Sequence, residues 1–559
     1  MIPARPHMNL LLRGSAPESP VRRPPMVLAP AHLARLARAG FVFAREGVFG
    51  LLDPVFFPWP IGLVLRLGRL IERRTGATAA AGAAGAAGTA GAVRLAAALT
   101  RLGPSYVKLG QFLATRPDIV GAALSRDLES LQDRMAPFPQ AEAEAAVASA
   151  LGAPLRDSFA SFGPPVAAAS IAQVHRAEVL EQGERRPVAV KVLRSGIERR
   201  FKTDLEAFAF VAFHAERMSA EARRLRIVEV VDTLARSVAV EMDLRLEAAA
   251  ISEMAENTKE DSDFRVPAID WMRTARDVLT LEWIDATPLS DRAALIARGF
   301  DLKQLARALM QSFLRHALRD GFFHADMHPG NLFVDANGRF IAVDFGIMGR
   351  LGPKERRFLA EILHGFITRD YLRTAEVHFE AGYVPPQHSV ESFAQAIRAI
   401  GEPIHSRTAA EISMAKLLNL LFEVTSLFDM RTRPELLLLQ KTMVVVEGVA
   451  RSLDPGLDMW STSDPVVRQW VERHLGPAGR IEQAAEGAVE LGRFLGGVPE
   501  LLGRAAVVLD HIDAVTRNGI VLAPETVAAI GAAQAGHNRW TGVALWLIVA
   551  LLAAMLVWG

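Results

Sequence analysis

The chain contains no cysteine. That excludes disulfides, Fe–S clusters and thiolate zinc sites together, and it is compatible with a reducing compartment without demanding one. An excess of one charge is missing too. Lys+Arg number 63 and Asp+Glu 62, so the net charge is +1 and no bulk field draws the chain to nucleic acid. Lysine itself is scarce: a count gives eight, leaving 63 − 8 = 55 arginines to carry most of the positive charge. No repeat recurs at a fixed period. No signal peptide is expected either, because the early apolar run Leu10 to Leu12 is broken by Arg13 and no long apolar stretch follows before Pro24.

What is present is a large apolar inventory. Of 559 residues, 50% are hydrophobic and 22% charged, which supplies a sizeable core and argues against global disorder. At ~150 residues per domain the length allows three or four units. Mean hydropathy is +0.19, and the C-terminus accounts for part of it. From Thr541 to Trp558 the chain reads TGVALWLIVALLAAMLVW without a charge. On a helix, Trp540 and Trp558 would lie about 27 Å apart, near one hydrocarbon thickness. Tryptophans at both ends and Arg539 just before the run fit a membrane anchor with the bulk of the protein on the Arg539 side. A buried core helix is the weaker alternative.

Residues 1–75 read as a Pro- and Arg-rich tail followed by helices, and 76–92 as an Ala/Gly linker in which alanine can keep parts helical. A helical extension is expected over 93–165. Residues 166–193 alternate like a β-hairpin with Gly183 near its turn, helical periodicity covers 197–258, and a strand pair is expected near 264–284. Residues 166–288 thus form one lobe. A second lobe, 289–475, carries a helix over 301–320 and a hairpin around Asn337-Gly338, then turns helical. Amphipathic helices are expected over 476–536 and a transmembrane helix over 540–559. The fold class is α+β.

The strongest chemical signal is HADMHPGNLFVDANGRFIAVDFG, His324 to Gly346. Asp326 is followed five residues later by Asn331, and a strand pair then delivers Asp344-Phe345-Gly346. This is the order of a kinase catalytic loop and its metal-binding Asp-Phe-Gly: one Asp at the transferred phosphoryl group, then Asn331 and Asp344 as Mg²⁺ ligands. Mg²⁺ is hard and takes oxygen ligands, so these residue types suit it. Upstream, Lys191 ends PVAVK on an apolar strand. In a chain that uses arginine wherever charge suffices, a lysine there points to a compact ammonium for phosphate, against the blander reading of an edge-strand lysine kept for solubility. Before it, AAASIAQVHRA places Ala167, Ala169 and Ala172 where a glycine-rich loop has its glycines. Alanine restricts φ > 0, so such a loop approaches phosphates less closely.

With these motifs the sequence resembles the UbiB/AarF (ubiquinone-biosynthesis, ADCK-like) atypical kinases, over about residues 93–350. Three further features carry the resemblance: a KxGQ motif at Lys108, Gly110 and Gln111, an ExD motif at Glu241 and Asp243, and the alanine-rich loop. The resemblance implies a protein-kinase-like two-lobe fold whose KxGQ helices cover the active site, with ATP and Mg²⁺ as cofactors. It implies Asp326, Lys191 and Glu247 as catalytic residues, Glu247 being the Lys191 partner. Ala167, Ala168, Ala169, Ser170, Lys191, Glu282 and Ile284 are the implied nucleotide contacts. Polyprenyl-phenol or quinone intermediates, membrane lipid and other quinone-biosynthesis proteins are the implied partners, nucleic acid is not, and the place is a membrane with the catalytic domain on the cytoplasmic side.

The residues also admit plainer readings. Asp243 and Glu247 form an i,i+4 like-charge pair, which costs helix stability and so suggests a nearby cation. Glu241 could simply pair with Arg245, and Lys108 and Gln111 could belong to an ordinary amphipathic helix end. The catalytic loop reads His-Ala-Asp, without the arginine that clamps a phosphorylated loop, and no Ala-Pro-Glu follows Gly346. That disfavours a peptide substrate. An ATP-dependent small-molecule kinase or ATPase stands first, ahead of a protein kinase and of a non-catalytic lipid-binding scaffold. A metallohydrolase cluster of His324, Asp326 and His328 stands last, because it leaves Asn331 and Asp344 unexplained.

Overall fold

The computed structural model describes residues 30–46, 87–114, 135–405 and 434–476, with a few isolated positions between them. The amphipathic stretch expected over 476–536 and the membrane helix expected over 540–559 lie outside the described residues, apart from Gly476. Among the described residues no helix is long and apolar enough to cross a membrane.

Three helices open the described chain: α1 (Pro30–Arg45), α2 (Ala87–Leu102) and α3 (Pro104–Ala114). They meet through Ala39, Val42, Leu99, Leu102 and Tyr106, all buried. The linker expected over 76–92 is thus helical from Ala87 onward, since alanine has the highest helix propensity. Gly103, at φ +105°, supplies the break between α2 and α3. Two more helices, α4 (Gln140–Leu151) and α5 (Leu155–Ser158), lead into a sheet.

That sheet has the order β1 (Ser161–Ala168), β2 (Ala172–Glu181), β3 (Glu184–Leu193) and β5 (Val278–Glu282), all antiparallel. It begins at Ser161, ahead of the expected 166, and the expected hairpin is the central part of a meander. Gln182 and Gly183 both have positive φ, as a two-residue hairpin turn requires. Val179, Val188, Val190 and Val192 face Phe138, Ala143 and Val147 to make this lobe's core. Helices α6 (Ile197–Met218), α7 (Ala220–Leu225), α8 (Ile227–Glu241) and α9 (Leu244–Asn257) follow β3.

The strand pair expected near 264–284 forms only as an antiparallel bridge of Ile269 to Leu281, with Asp270 N–H bonded to the Thr280 carbonyl and Glu282 N–H to the Ala268 carbonyl. β4 (Phe264–Arg265) pairs in parallel with β9 (Phe340–Ala342) in a second sheet, whereas β5 closes the first. The second sheet runs β4-β9-β8-β6, with β6 at Thr287–Pro288 and β8 at Leu332–Val334. Helices α10 (Arg292–Ala297) and α11 (Leu302–Arg315) precede it, and α11 continues as a single π turn at His316–Asp320 rather than as α-helix to residue 320. β7 (Phe322–His324) pairs with β10 (Met348–Arg350), bracketing the catalytic-loop sequence. Helices α12 (Pro353–Thr368), α13 (Tyr371–Glu380), α14 (Val390–His405), α15 (Pro434–Leu453) and α16 (Met459–Leu475) complete the described chain.

Candidate active site

The site lies where β3, α9 and the β7–β10 region converge. Lys191 sits on β3 with its side chain largely enclosed, and its Nζ donates to both oxygens of Glu247, at 2.7 and 2.9 Å. It also donates to Asp344 Oδ1 at 3.2 Å. Burial alone would lower the Lys191 pKa, but the carboxylates of Asp344 and Glu247 outweigh it and hold the ammonium above its ordinary value. Burial also works against ionisation of Asp344. Lys191 and the Gly346 N–H at 3.1 Å more than offset it, so this carboxyl titrates well below the usual range. For Glu247 burial wins and pushes the carboxyl upward, Lys191 opposing. Phe345 N–H donates to Glu247 Oε1 at 3.3 Å, so the Asp-Phe-Gly backbone rests on the ion pair.

The catalytic-loop sequence is tied to this cluster by His324. Asp326 N–H donates to His324 Nδ1 at 3.1 Å, so Nδ1 is an acceptor and the other nitrogen, Nε2, donates to the Asp344 carbonyl. Burial keeps the ring neutral by lowering its pKa. Both nitrogens are therefore spent, and His324 has no free lone pair for a metal. That removes the hydrolase cluster of His324, Asp326 and His328. Asn331 Nδ2 donates to Asp326 twice, to the carbonyl at 3.1 Å and to Oδ2 at 3.2 Å. The Asp326 carboxylate is 42% exposed and has His328 at 3.8 Å. It stays open to an incoming group.

Asn331 keeps Oδ1 as its acceptor, and Asp344 presents a carboxylate. Two oxygen donors of this kind suit a hard divalent cation that takes its remaining ligands from phosphate and water. Among the described residues no cluster of three or more His, Asp or Glu forms a cage by itself. The fit is therefore to a metal shared with phosphate.

The alanine-rich loop is fastened rather than draped. Ala167 and Ala168 belong to β1, opposite Val174 and Gln173, and none of Ala167, Ala168, Ala169 or Ser170 has positive φ. Ala169 N–H donates to the Ala172 carbonyl at 2.8 Å. Arg194, just past β3, donates from Nη2 to the Ala169 carbonyl at 2.9 Å and to the Ala136 carbonyl at 2.8 Å, and stacks over Phe138. Beneath the loop, Gln173 exchanges hydrogen bonds with both backbone groups of Phe138 and donates to His175 Nε2 at 2.8 Å. His175 passes Nδ1–H to the Gly163 carbonyl at 2.8 Å, and burial lowers its pKa. Ser170 is fully buried. Neither Arg194 nor the Gln173–His175 relay stands out in the sequence, although polar residues at alternate positions of an otherwise apolar strand are a signal for the latter.

Glu282 ends β5, and Ile284 lies two residues beyond it. The Glu282 side chain is taken up by Arg265 at 3.1 Å and by Ala268 N–H at 3.2 Å, so only the backbone there is available to a ligand. Lys108, on α3, pairs with Glu241 at the end of α8 at 2.5 Å, with both side chains about one-eighth exposed. The pairing of Glu241 with Arg245 therefore does not occur. Arg245 instead grips Asp243 at 2.6 and 2.8 Å, and Asp243 caps α9 by accepting Arg245 N–H at 3.1 Å. Each carboxylate of the Asp243–Glu247 pair thus has its own cation. Gly110 packs so close to Leu99 and Leu131 that a Cβ would lie 2.8 and 2.5 Å from their Cδ1 atoms. Gln111 is half-buried on the same helix.

A strand lysine locked to a helix glutamate, an Asp-Phe-Gly aspartate and an Asp–Asn loop together make a kinase-like constellation. Residues 130–378 match the model of the ABC1 atypical kinase-like domain, and 397–458 match the UbiB helical domain. The chain is 42% identical over 455 residues to a protein of Marinobacter nauticus named probable protein kinase UbiB, covering 80% of this chain and 81% of that one. It is 40% identical over 457 residues to the protein of the same name from Azotobacter vinelandii, covering 80% and 82%. A Mycobacterium tuberculosis protein solved with erythromycin aligns over 67% of this chain and 93% of its own, at 25% identity and a TM-score of 0.42. The chain belongs to the UbiB family of ABC1 atypical kinase-like proteins.

Proposed function

We propose that the protein is an ATP- and Mg²⁺-dependent small-molecule kinase or ATPase that supports ubiquinone biosynthesis at a membrane. The assembled contact of Lys191 with Glu247 and Asp344, beside Asp326 and Asn331, carries this reading. Bound MgATP would supply the transferable γ-phosphoryl group. Lys191 would steady the phosphates, Asn331 and Asp344 would ligate the metal, and Asp326 would accept a proton from the attacking hydroxyl of water or a phenol. Polyprenyl-phenol intermediates, membrane lipid and other quinone-biosynthesis proteins are the partners this reading expects. The uncharged run from Thr541 to Trp558 supports the membrane location.

The relatives' printed names favour a protein kinase, and that is the second reading. Against it, residues 347–352 alone separate Gly346 from α12, which leaves little platform for a peptide. Phosphate release by the purified full chain, with and without a phenolic quinone precursor and liposomes, tests the first reading. Asp344→Asn is expected to abolish Mg²⁺-dependent ATP binding with the fold retained by circular dichroism. ATP binding with unchanged metal dependence in that variant would remove the assigned role of Asp344. Stoichiometric transfer to a protein, with no phosphate release and no phenol effect, would establish the second reading.

A further inference from the structure

Away from Lys191, α1, the α2–α3 junction and the start of α6 enclose a cavity of about 440 Å³. Its walls include four arginines: Arg35 and Arg38 from α1, Arg199 and Arg200 from α6. One carboxylate faces them. Asp204 is buried and is engaged by Arg35 at 2.5 Å. Four positive charges against one leave an excess of three. Arg200 donates to the Leu102 carbonyl at 2.9 Å, and it passes over Gly103, where a Cβ would collide with its guanidinium. Neither Arg38 nor Arg199 has an ion-pair partner among the described residues. Both are exposed at the rim.

The crowding has an electrostatic signature. Burial and Asp204 raise the Tyr106 pKa to about 12 even though Arg35, Arg38 and Arg200 all pull it down. Burial lowers that of Arg200, with Arg35 and Arg38 adding to the effect against Asp204. Like charges are thus held together at a cost that a bound anion would relieve. The 22-residue α6 adds the positive end of its dipole, since Gly196, which precedes its first turn, also lines the cavity. A single carboxylate would leave most of the excess uncompensated. A phosphate or diphosphate carries the charge, and its oxygens match the forked donors of arginine.

We propose that this cavity is a binding site for a phosphate-bearing ligand, separate from the Lys191 centre, that fastens α1 and the Lys108-bearing helix to α6. The phosphate could be a free phosphate ester or a lipid headgroup, and the chemistry of recognition is the same. The proposal stands independently of the catalytic reading.

Titration calorimetry of the full-length protein with inorganic pyrophosphate tests it. One saturable site is expected, weakened at least tenfold in the double variant Arg38→Gln, Arg199→Gln and retained in Asp344→Asn. Because Arg38 and Arg199 are rim residues without ion-pair partners among the described residues, the double variant should keep its melting temperature. Co-sedimentation with phosphatidylcholine vesicles containing phosphatidylglycerol then separates the sources. Competition by pyrophosphate points to a headgroup in the cavity, and vesicle binding indifferent to pyrophosphate points to a soluble ester. Absence of pyrophosphate binding to the wild type overturns the proposal. Equal binding by the double variant, or loss of binding in Asp344→Asn, also overturns it.

Discussion

The Lys108–Glu241 ion pair ties the KxGQ helix to α8, and its cost of removal can be worked out. The two groups are 2.5 Å apart and each is about one-eighth exposed. Breaking a fully buried pair by deleting one partner costs about 3–5 kcal/mol, and exposed pairs contribute about 0–1 kcal/mol. A pair this enclosed should lie between, at about 2 kcal/mol. Glu241→Gln removes the charge with little change in shape and leaves Lys108 beside a neutral amide. The penalty should appear as easier opening of α3. Deuterium exchange of the peptide spanning Pro104–Ala114 reads that opening directly, and about 2 kcal/mol corresponds to roughly thirty-fold faster exchange. Lys108→Met should give a similar acceleration. The double variant should be no worse than either alone, because the two changes remove one interaction. Unchanged exchange over 104–114 would refute the reasoning, as would accelerations that simply add.

Three other outcomes follow from contacts already described. Arg194→Gln removes hydrogen bonds to Ala169 and Ala136, so the alanine loop should loosen and nucleotide binding by calorimetry should tighten severalfold. Unaltered affinity would mean that the clamp does not limit nucleotide entry. Gly110→Ala drives a methyl against the flexible ends of Leu99 and Leu131, for about 1 kcal/mol of overpacking and a melting temperature lower by a few degrees. Tyr106 is raised to about 12, so the folded state holds this proton where the unfolded chain has lost it. Stability should therefore fall as pH rises from about 10 to 12, by roughly 2 kcal/mol, and Tyr106→Phe should flatten that part of the profile in alkaline denaturation.

The residues of the site were legible because their chemistry is narrow. Lys191 stood out against a background of arginine, and Asp326, Asn331 and Asp344 came in order around an Asn-Gly turn, so local sequence placed them near one another. The structure then brought Glu247 to Lys191 from a helix 56 residues away. What local sequence does not carry is the identity of non-local partners. Phe264 and Val278 both read as strand, yet they were claimed by different sheets because β4 found β9 across the chain. Glu241 is four residues from Arg245 in sequence, but α8 ends at Glu241 and Arg245 lies on α9 with its guanidinium held by Asp243, so Glu241 took Lys108 instead. Arg194 looked like any surface arginine. Its role depends on two carbonyls, and a carbonyl leaves no mark on the sequence.

The short run between Gly346 and α12 has a further consequence. Residues 347–352 read Ile-Met-Gly-Arg-Leu-Gly, with no serine, threonine or tyrosine among them. In kinases with a long segment at this place, a phosphate added to a hydroxyl there brings the lysine–glutamate pair together. Here that pair stands formed without it, and the segment offers no hydroxyl to phosphorylate. Hydroxyl phosphorylation is therefore closed to this stretch of chain. A signal that reaches the Lys191–Glu247 pair through this stretch cannot be written as a phosphate on it.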